Sequence, residues 1–119
     1  MQDLLRQVQV NIPFTMLYDT YLERFLEYDL NPEIGIDAEA LERFDFSDFR
    51  RIAEKLHDHH LSITLHGPFI DLSAGSTDPA VKAVTRSRFK QLLKLAPAFR
   101  PRSVVCHAGP TRTASAMSR

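Results

Sequence analysis

The chain has 119 residues and a mass of 13.6 kDa, with 15 basic against 15 acidic side chains, a formal charge of zero with histidine neutral. That length suits one domain, and 44% hydrophobic and 25% charged residues make a globular composition able to bury roughly two-thirds of its unfolded surface. Balanced charge removes the basic footprint that nucleic-acid or anionic-membrane binding demands, and no apolar run approaches the roughly 20 residues of a membrane-spanning helix. One cysteine, Cys106, excludes an internal disulfide, and Asp3 and Arg6 interrupt the amino terminus where a secretion signal needs an apolar run, so a cytoplasmic location is expected.

Val8, Val10 and Ile12 alternate with Gln7, Gln9 and Asn11, a period of two that predicts a strand ending at Pro13. From Leu17 to Leu30, Leu17, Tyr18, Tyr21, Leu22, Phe25, Leu26 and Tyr28 recur at helical spacing until Asn31-Pro32 stops the run. Glu33 to Asp37 alternates as a short second strand. A second helix follows, with Phe49, Ile52, Ala53 and Leu56 on one face and Ser47 as its cap. Ser62 to His66 reads as a third strand and Asp71 to Thr77 as a polar loop. Asp78-Pro79 then places an acidic cap before proline at the first position of a third helix, whose stripe of Val81, Val84, Leu92, Leu93 and Ala96 should end or kink at Pro97. Ser103 to His107 is the fourth strand, and Thr111 to Arg119 lacks both stripe and cap, the pattern of a loose tail.

Strands alternating with helices predict an α/β fold with a parallel sheet of about four strands. Strand side chains point alternately to opposite faces, so the apolar residues set the phase of each strand. With Val8/Val10/Ile12, Ile34/Ile36, Ile63/Leu65 and Val104/Cys106 against the helices, the other face carries Gln9/Asn11, Glu33/Gly35/Asp37, Thr64/His66 and Val105/His107. That face is polar. Asn11, Glu33 and Asp37 are its candidate substrate-binding residues, and the carboxyl edge where they gather is where parallel α/β proteins place ligands.

His66 and His107 share phase and level, and they admit two readings. Each caps its strand against neighbouring backbone, or the two contact a metal or substrate together, since neutral imidazole is the commonest protein ligand of transition metals. Two histidines do not complete a centre, because a catalytic zinc takes about three protein ligands. Cys106 and His107 cannot form a thiol–imidazole dyad, because adjacent strand residues face opposite ways. The cluster His57-Asp58-His59-His60 is expected to be a solvated helix end favoured by the helix dipole. Ser73 to Thr77, before the third helix, lacks the glycine and lysine spacing of a phosphate loop, and the aromatic stripe of the first helix is expected to be core.

The stretch His66-Gly67-Pro68-Phe69-Ile70-Asp71-Leu72, the basic helix after it, and Val104-Val105-Cys106-His107-Ala108-Gly109-Pro110 resemble the xylose isomerase-like TIM-barrel superfamily. That group joins sugar and sugar-phosphate isomerases and epimerases with family 2 AP endonucleases of the endonuclease IV type. Its third strand typically ends in His-Ala-Pro and its fourth in His-Pro-Gly or a similar turn, and its second often carries Glu before an aliphatic residue. Here these are His66-Gly67-Pro68, His107-Ala108-Gly109 and Glu33-Ile34, and the likeness covers about residues 7 to 110.

The resemblance implies a half TIM barrel over residues 1–110 with a tail over 111–119, since a closed (β/α)₈ barrel takes roughly 250 residues. It implies His66 and His107 as metal ligands in the endonuclease-like branch, or as substrate-positioning residues in the isomerase-like branch. It also implies a divalent cation, zinc or manganese, completed by later strands of the family that have no counterpart here. No catalytic residue is assigned. The expected function is the amino-terminal half of a metal-dependent sugar isomerase or epimerase, inactive as an isolated monomer, with two alternatives: an inert ligand-binding or assembly module, or an abasic-site endonuclease fragment. Unpaired sheet edges further predict a homo-oligomer or a complementary half-barrel partner.

Overall fold

The computed structural model describes residues 8–67 and 78–105. Four strands, β1 (Gln9–Pro13), β2 (Asn31–Gly35), β3 (Thr64–His66) and β4 (Ser103–Val105), form one parallel sheet in the order β1-β2-β3-β4. Among the described residues β1 pairs with β2 alone and β4 with β3 alone, so the sheet is open at both sides. Phe14–Met16, a π-helical turn over Leu17–Tyr21, and Leu22–Glu27 run on as one helical segment, α1, between β1 and β2. Helices α2 (Ala38–Arg43) and α3 (Phe46–Asp58) lie between β2 and β3, and α4 (Pro79–Phe99) lies between β3 and β4. This is an α/β half-barrel of four parallel strands.

Helix–sheet packing follows the predicted phase. Ile12, Ile34 and Leu65 are register partners in one cross-strand row and are buried with Ile36 and Ile63 against Phe25, Ile52 and Leu56 of the helices. At the carboxyl side Phe14, the first residue of α1, is fully enclosed. Its ring lies 4.5 Å from that of Phe49, 5.0 Å from Phe44 and 6.3 Å from Phe99, the last two edge-on. One ring thus ties α1 to the α2–α3 corner, to α3 and to the end of α4, and edge-to-face pairs add about 0.5–1.5 kcal/mol each beyond their burial. Of the aromatic stripe of the first helix, Phe25 is core and Tyr18 and Tyr21 pack partly buried against it, as expected, whereas Tyr28 is exposed.

Several boundaries differ from the sequence reading, for identifiable reasons. Asn31-Pro32 does follow the end of α1, with Asp29 in the left-handed region at φ 53°, but the same two residues already begin β2. A proline near the start of a strand costs little ladder bonding. Helix α2 is an addition to the predicted elements. Asp37 starts it by accepting the Ala40 N–H at 2.8 Å, which turns the chain out of β2 after Gly35. Asp45, not Ser47, caps α3: its carboxylate accepts the Asp48 N–H while Asp48 accepts the Asp45 N–H, a capping box, and the Ser47 hydroxyl donates to Asp45 at 2.6 Å. Asp78 caps α4 with Pro79 at its first position, as predicted. Pro97 neither ends nor breaks that helix, which runs on to Phe99 and stops at Arg100, φ 42°. Of the predicted stripe Leu92 is buried as expected, Val84 and Leu93 are exposed, and Thr85, Leu95 and Phe99 complete the buried face. The loop from 71 to 77, Cys106, His107 and the tail lie outside the described residues.

Two surface carboxylates tighten the helix layer. The Arg43 guanidinium grips Asp19 through two bonds of 2.7 Å and holds that carboxyl below the usual range; bonds from the Ser47 hydroxyl, then the Asp48 N–H, do the same for Asp45. A carboxylate with a depressed folded-state pKa stabilises fully above its unfolded value, near 4, and loses that contribution as pH falls through the folded value. Melting temperature is therefore expected to drop on acidification below about pH 4, and Asp19→Asn combined with Asp45→Asn to flatten the drop in a calorimetric pH series. Phe14→Ala is expected to cost about 3–5 kcal/mol in urea unfolding; a loss under about 1 kcal/mol would remove this ring from the centre of the core.

Candidate functional site

The face away from the helices is laid out by strand register. Asn11, Glu33, Thr64 and Ser103 are successive partners across the four strands, and one step toward the carboxyl edge Pro13, Gly35, His66 and Val105 form the next row. A polar row spans the sheet, followed by a row holding one imidazole. Parallel sheets covered on both faces usually carry near-continuous apolar strands; here the face away from the helices carries polar side chains, of which Asn11 and Ser103 are exposed, Glu33 and His66 half-buried and Thr64 buried.

Within that face Glu33 and His66 meet directly, Glu33 Oε1 against His66 Nε2. They sit two positions apart in the register of neighbouring strands, so their side chains lean toward one another on the same side. Both are half-buried: the His66 and Glu33 side chains keep 25% and 24% of their surface, open enough for a ligand to reach them. They are also covered enough that solvent screens their interaction less than it would at the surface. The backbone beneath is held firmly: the His66 carbonyl accepts the Ile36 N–H at 2.8 Å, and Gly67 donates to the Val105 carbonyl at 2.7 Å. The strands therefore fix the base of both side chains.

The candidates separate. Asn11 and Glu33 are brought together as cross-strand partners, Asn11 exposed and Glu33 in contact with His66. Asp37 is not with them: β2 ends at Gly35, and its carboxylate is engaged as the cap of α2. The alternation still runs through buried Ile36 to exposed Asp37, so Asp37 keeps its phase while its carboxylate also serves as a helix cap. His107 lies outside the described residues. Ser103 joins the polar row without having been a candidate, although its spacing of two from Val105 is the signal that puts it on that face.

The histidine cluster lies at the opposite end of the sheet, where α3 finishes before β3. His57 Nε2 is bonded to the Phe99 carbonyl at 2.7 Å, His59 Nδ1 to the Lys55 carbonyl at 3.1 Å, and His60 takes φ 58° to close the helix. These are helix-end and packing contacts, in line with the sequence reading. Among the described residues no group of three His, Cys, Asp or Glu is placed to hold a metal ion. No described helix is long and apolar enough to cross a membrane.

No family model matches the chain, and no curated protein matches it. A solved structure of the TTHB071 protein from Thermus thermophilus, soaked with ZnCl2, shares the architecture with a TM-score of 0.69 and 25% sequence identity. The match covers 87% of this chain and 40% of that one, so the chain spans less than half the length of its structural neighbour.

Asp37→Ala is expected to lower stability by about 0.5–2 kcal/mol, as loss of a helix cap does, with Asp37→Asn restoring most of it in denaturant melts. A variant of unchanged stability would show that the cap contributes nothing to folding.

Proposed function

We propose that the chain is the amino-terminal half of a xylose isomerase-like barrel whose carboxyl rim handles a sugar or sugar phosphate with a divalent cation, zinc or manganese. The observation that carries this reading is the Glu33–His66 contact at the carboxyl edge of a polar sheet face. The row beside it suits a polyhydroxylated ligand. The exposed Asn11 amide both donates and accepts, and the exposed Ser103 hydroxyl does the same, so sugar hydroxyls of either polarity find a partner, while Thr64 between them in the row is buried. Glu33, acceptor-only when ionised, takes a hydroxyl proton or holds it, and His66 sits within reach as its relay.

Imidazole and carboxylate fit zinc or manganese in donor type, and Glu33 and His66 would hold such an ion from one side; in number they fall short of a full shell among the described residues. The cation, when bound, supplies Lewis-acid polarisation of a sugar oxygen. Two donors explain why an isolated monomer is expected to be inactive as an isomerase or epimerase. An inert binding or assembly module is the second reading, and zero net charge stands against the abasic-site endonuclease.

Equilibrium dialysis against zinc or manganese followed by elemental analysis tests the site. The parent protein is expected to retain the metal, and His66→Ala or Glu33→Gln to lose at least about tenfold in affinity, the lower bound seen when even an outer partner of a metal ligand is removed. A parent that binds no metal, or variants that bind as well as the parent, would overturn the metal reading. Cleavage of abasic duplex at low salt would replace it with the endonuclease.

A further inference from the structure

Charge is balanced over the whole chain but not along it. All 15 acidic residues lie at or before Asp78, and residues 79–119 carry nine bases and no acid. On α4 the bases Lys82, Arg86, Lys90 and Lys94 recur every fourth residue, and all four are exposed. Residues at that spacing form one ridge of a helix, along which like charges repel and weaken it. Among the described residues no ion pair relieves this ridge. Arg88, by contrast, is held by Glu42 of α2. Two residues are about 200° of helical rotation, so the Arg86 ridge runs on the flank turned away from α2.

The next ridge is apolar. Thr85, Phe89 and Leu93 also recur every fourth residue, Thr85 buried, Phe89 partly buried and Leu93 65% exposed. Between the two ridges runs a groove of about 530 Å³ lined by Lys82, Thr85, Arg86, Phe89, Lys90 and Leu93. A groove between two such ridges is what the ridge of a second helix fills when helices pack. Its shape calls for a helix, its apolar side for apolar residues on that helix, and its cationic side for carboxylates at four-residue spacing. A nucleic-acid backbone would answer the charge and leave Leu93 in water. Residues 1–7 and 68–77 hold one acid each and 106–119 none, so none of these segments carries the complementary pattern. Asp19, Glu23 and Glu27 do follow at four-residue spacing on α1, but on the face that Arg43 already holds through Asp19.

We propose that the groove on α4 docks an acidic amphipathic helix of a partner protein, with its carboxylates against Lys82, Arg86 and Lys90 and its apolar residues against Phe89 and Leu93. The surface lies on the helix layer, away from Glu33 and His66, so it is independent of the metal reading.

The probe is an end-blocked, fluorescein-labelled alanine-based peptide of about 18 residues, long enough to form a helix, with glutamates four apart and a neighbouring row of leucines. Anisotropy titration at low salt is expected to show saturable binding to the parent chain that weakens as salt screens the charges. Arg86→Glu and Leu93→Gln are each expected to weaken it at least about tenfold, as loss of a central contact does, and so is glutamine in place of the peptide's glutamates. Both side chains are exposed, and Arg86→Glu replaces repulsion from Lys82 and Lys90 with attraction, so that variant is expected to melt no lower than the parent. A lower melting temperature would show that Arg86 already has its partner within the fold and would overturn the docking site. So would a peptide that does not bind at about 100 μM, the range where even weak pairs associate, or one that binds both variants as well as the parent. Labelled duplex DNA that binds more tightly than the peptide and is indifferent to Leu93→Gln would overturn the helix in favour of a nucleic acid. A parent that runs as a dimer in light scattering and dissociates on Arg86→Glu would overturn it in favour of a second copy.

Discussion

Everything in this fold depends on the face of the sheet that packs against the helices; on the other face Asn11 and Ser103 are exposed, Glu33 and His66 half-buried and Thr64 buried. The row Ile12, Ile34 and Leu65, with Ile36 and Ile63 beside it, packs beneath α1, α3 and α4, and Phe14 ties those helices together over the carboxyl side. Side chains in a strand alternate with a period of two, so sealing these residues against the helices drives Asn11, Glu33, Thr64, His66 and Ser103 onto the far face with no further choice. A one-residue slip in β2 or β3 would bury Glu33 or His66 among leucines and isoleucines. The same apolar contacts that stabilise the domain therefore set which side chains face away from the helices.

The carboxyl edge is where this arrangement becomes useful. Glu33 and His66 belong to different strands and are 33 residues apart in sequence, and the parallel register of β2 and β3 sets them side by side. Their half-buried state is an intermediate one. Full burial would force such a pair to lose its charge, and full exposure would let water screen it. In the cluster His57 to His60, richer in imidazole, the His57 and His59 rings are bonded to backbone carbonyls at a helix end.

Alternation is readable in the sequence wherever a strand runs long enough to repeat it, and so the phase of β1, β2 and β3, the polar face, and the positions of Asn11, Glu33 and His66 follow from residue spacing. Local caps are less readable. Asp37 looks like one more polar residue in phase, and only the hydrogen bond to Ala40 shows that it leaves the strand to begin α2. Ser47 and Asp45 are both chemically able to cap and lie two residues apart, and the reciprocal bond with Asp48 decides between them. In α4 the predicted stripe holds at Leu92 but not at Val84 and Leu93, and Leu95 and Phe99 join the buried face instead, because that helix packs on α3 and the sheet with one flank. Hydrophobicity alone does not say which of two adjacent apolar residues faces the neighbour.

If the polar face carries a site whose described part is Glu33 and His66, that site should be visible directly. A crystal structure of the chain grown with zinc, with anomalous data collected at the zinc edge, addresses it most squarely. An anomalous peak is expected about 2.0–2.2 Å from His66 Nε2 and a Glu33 carboxylate oxygen. A peak at the His57–His60 helix end instead, or none on the polar face, would contradict it.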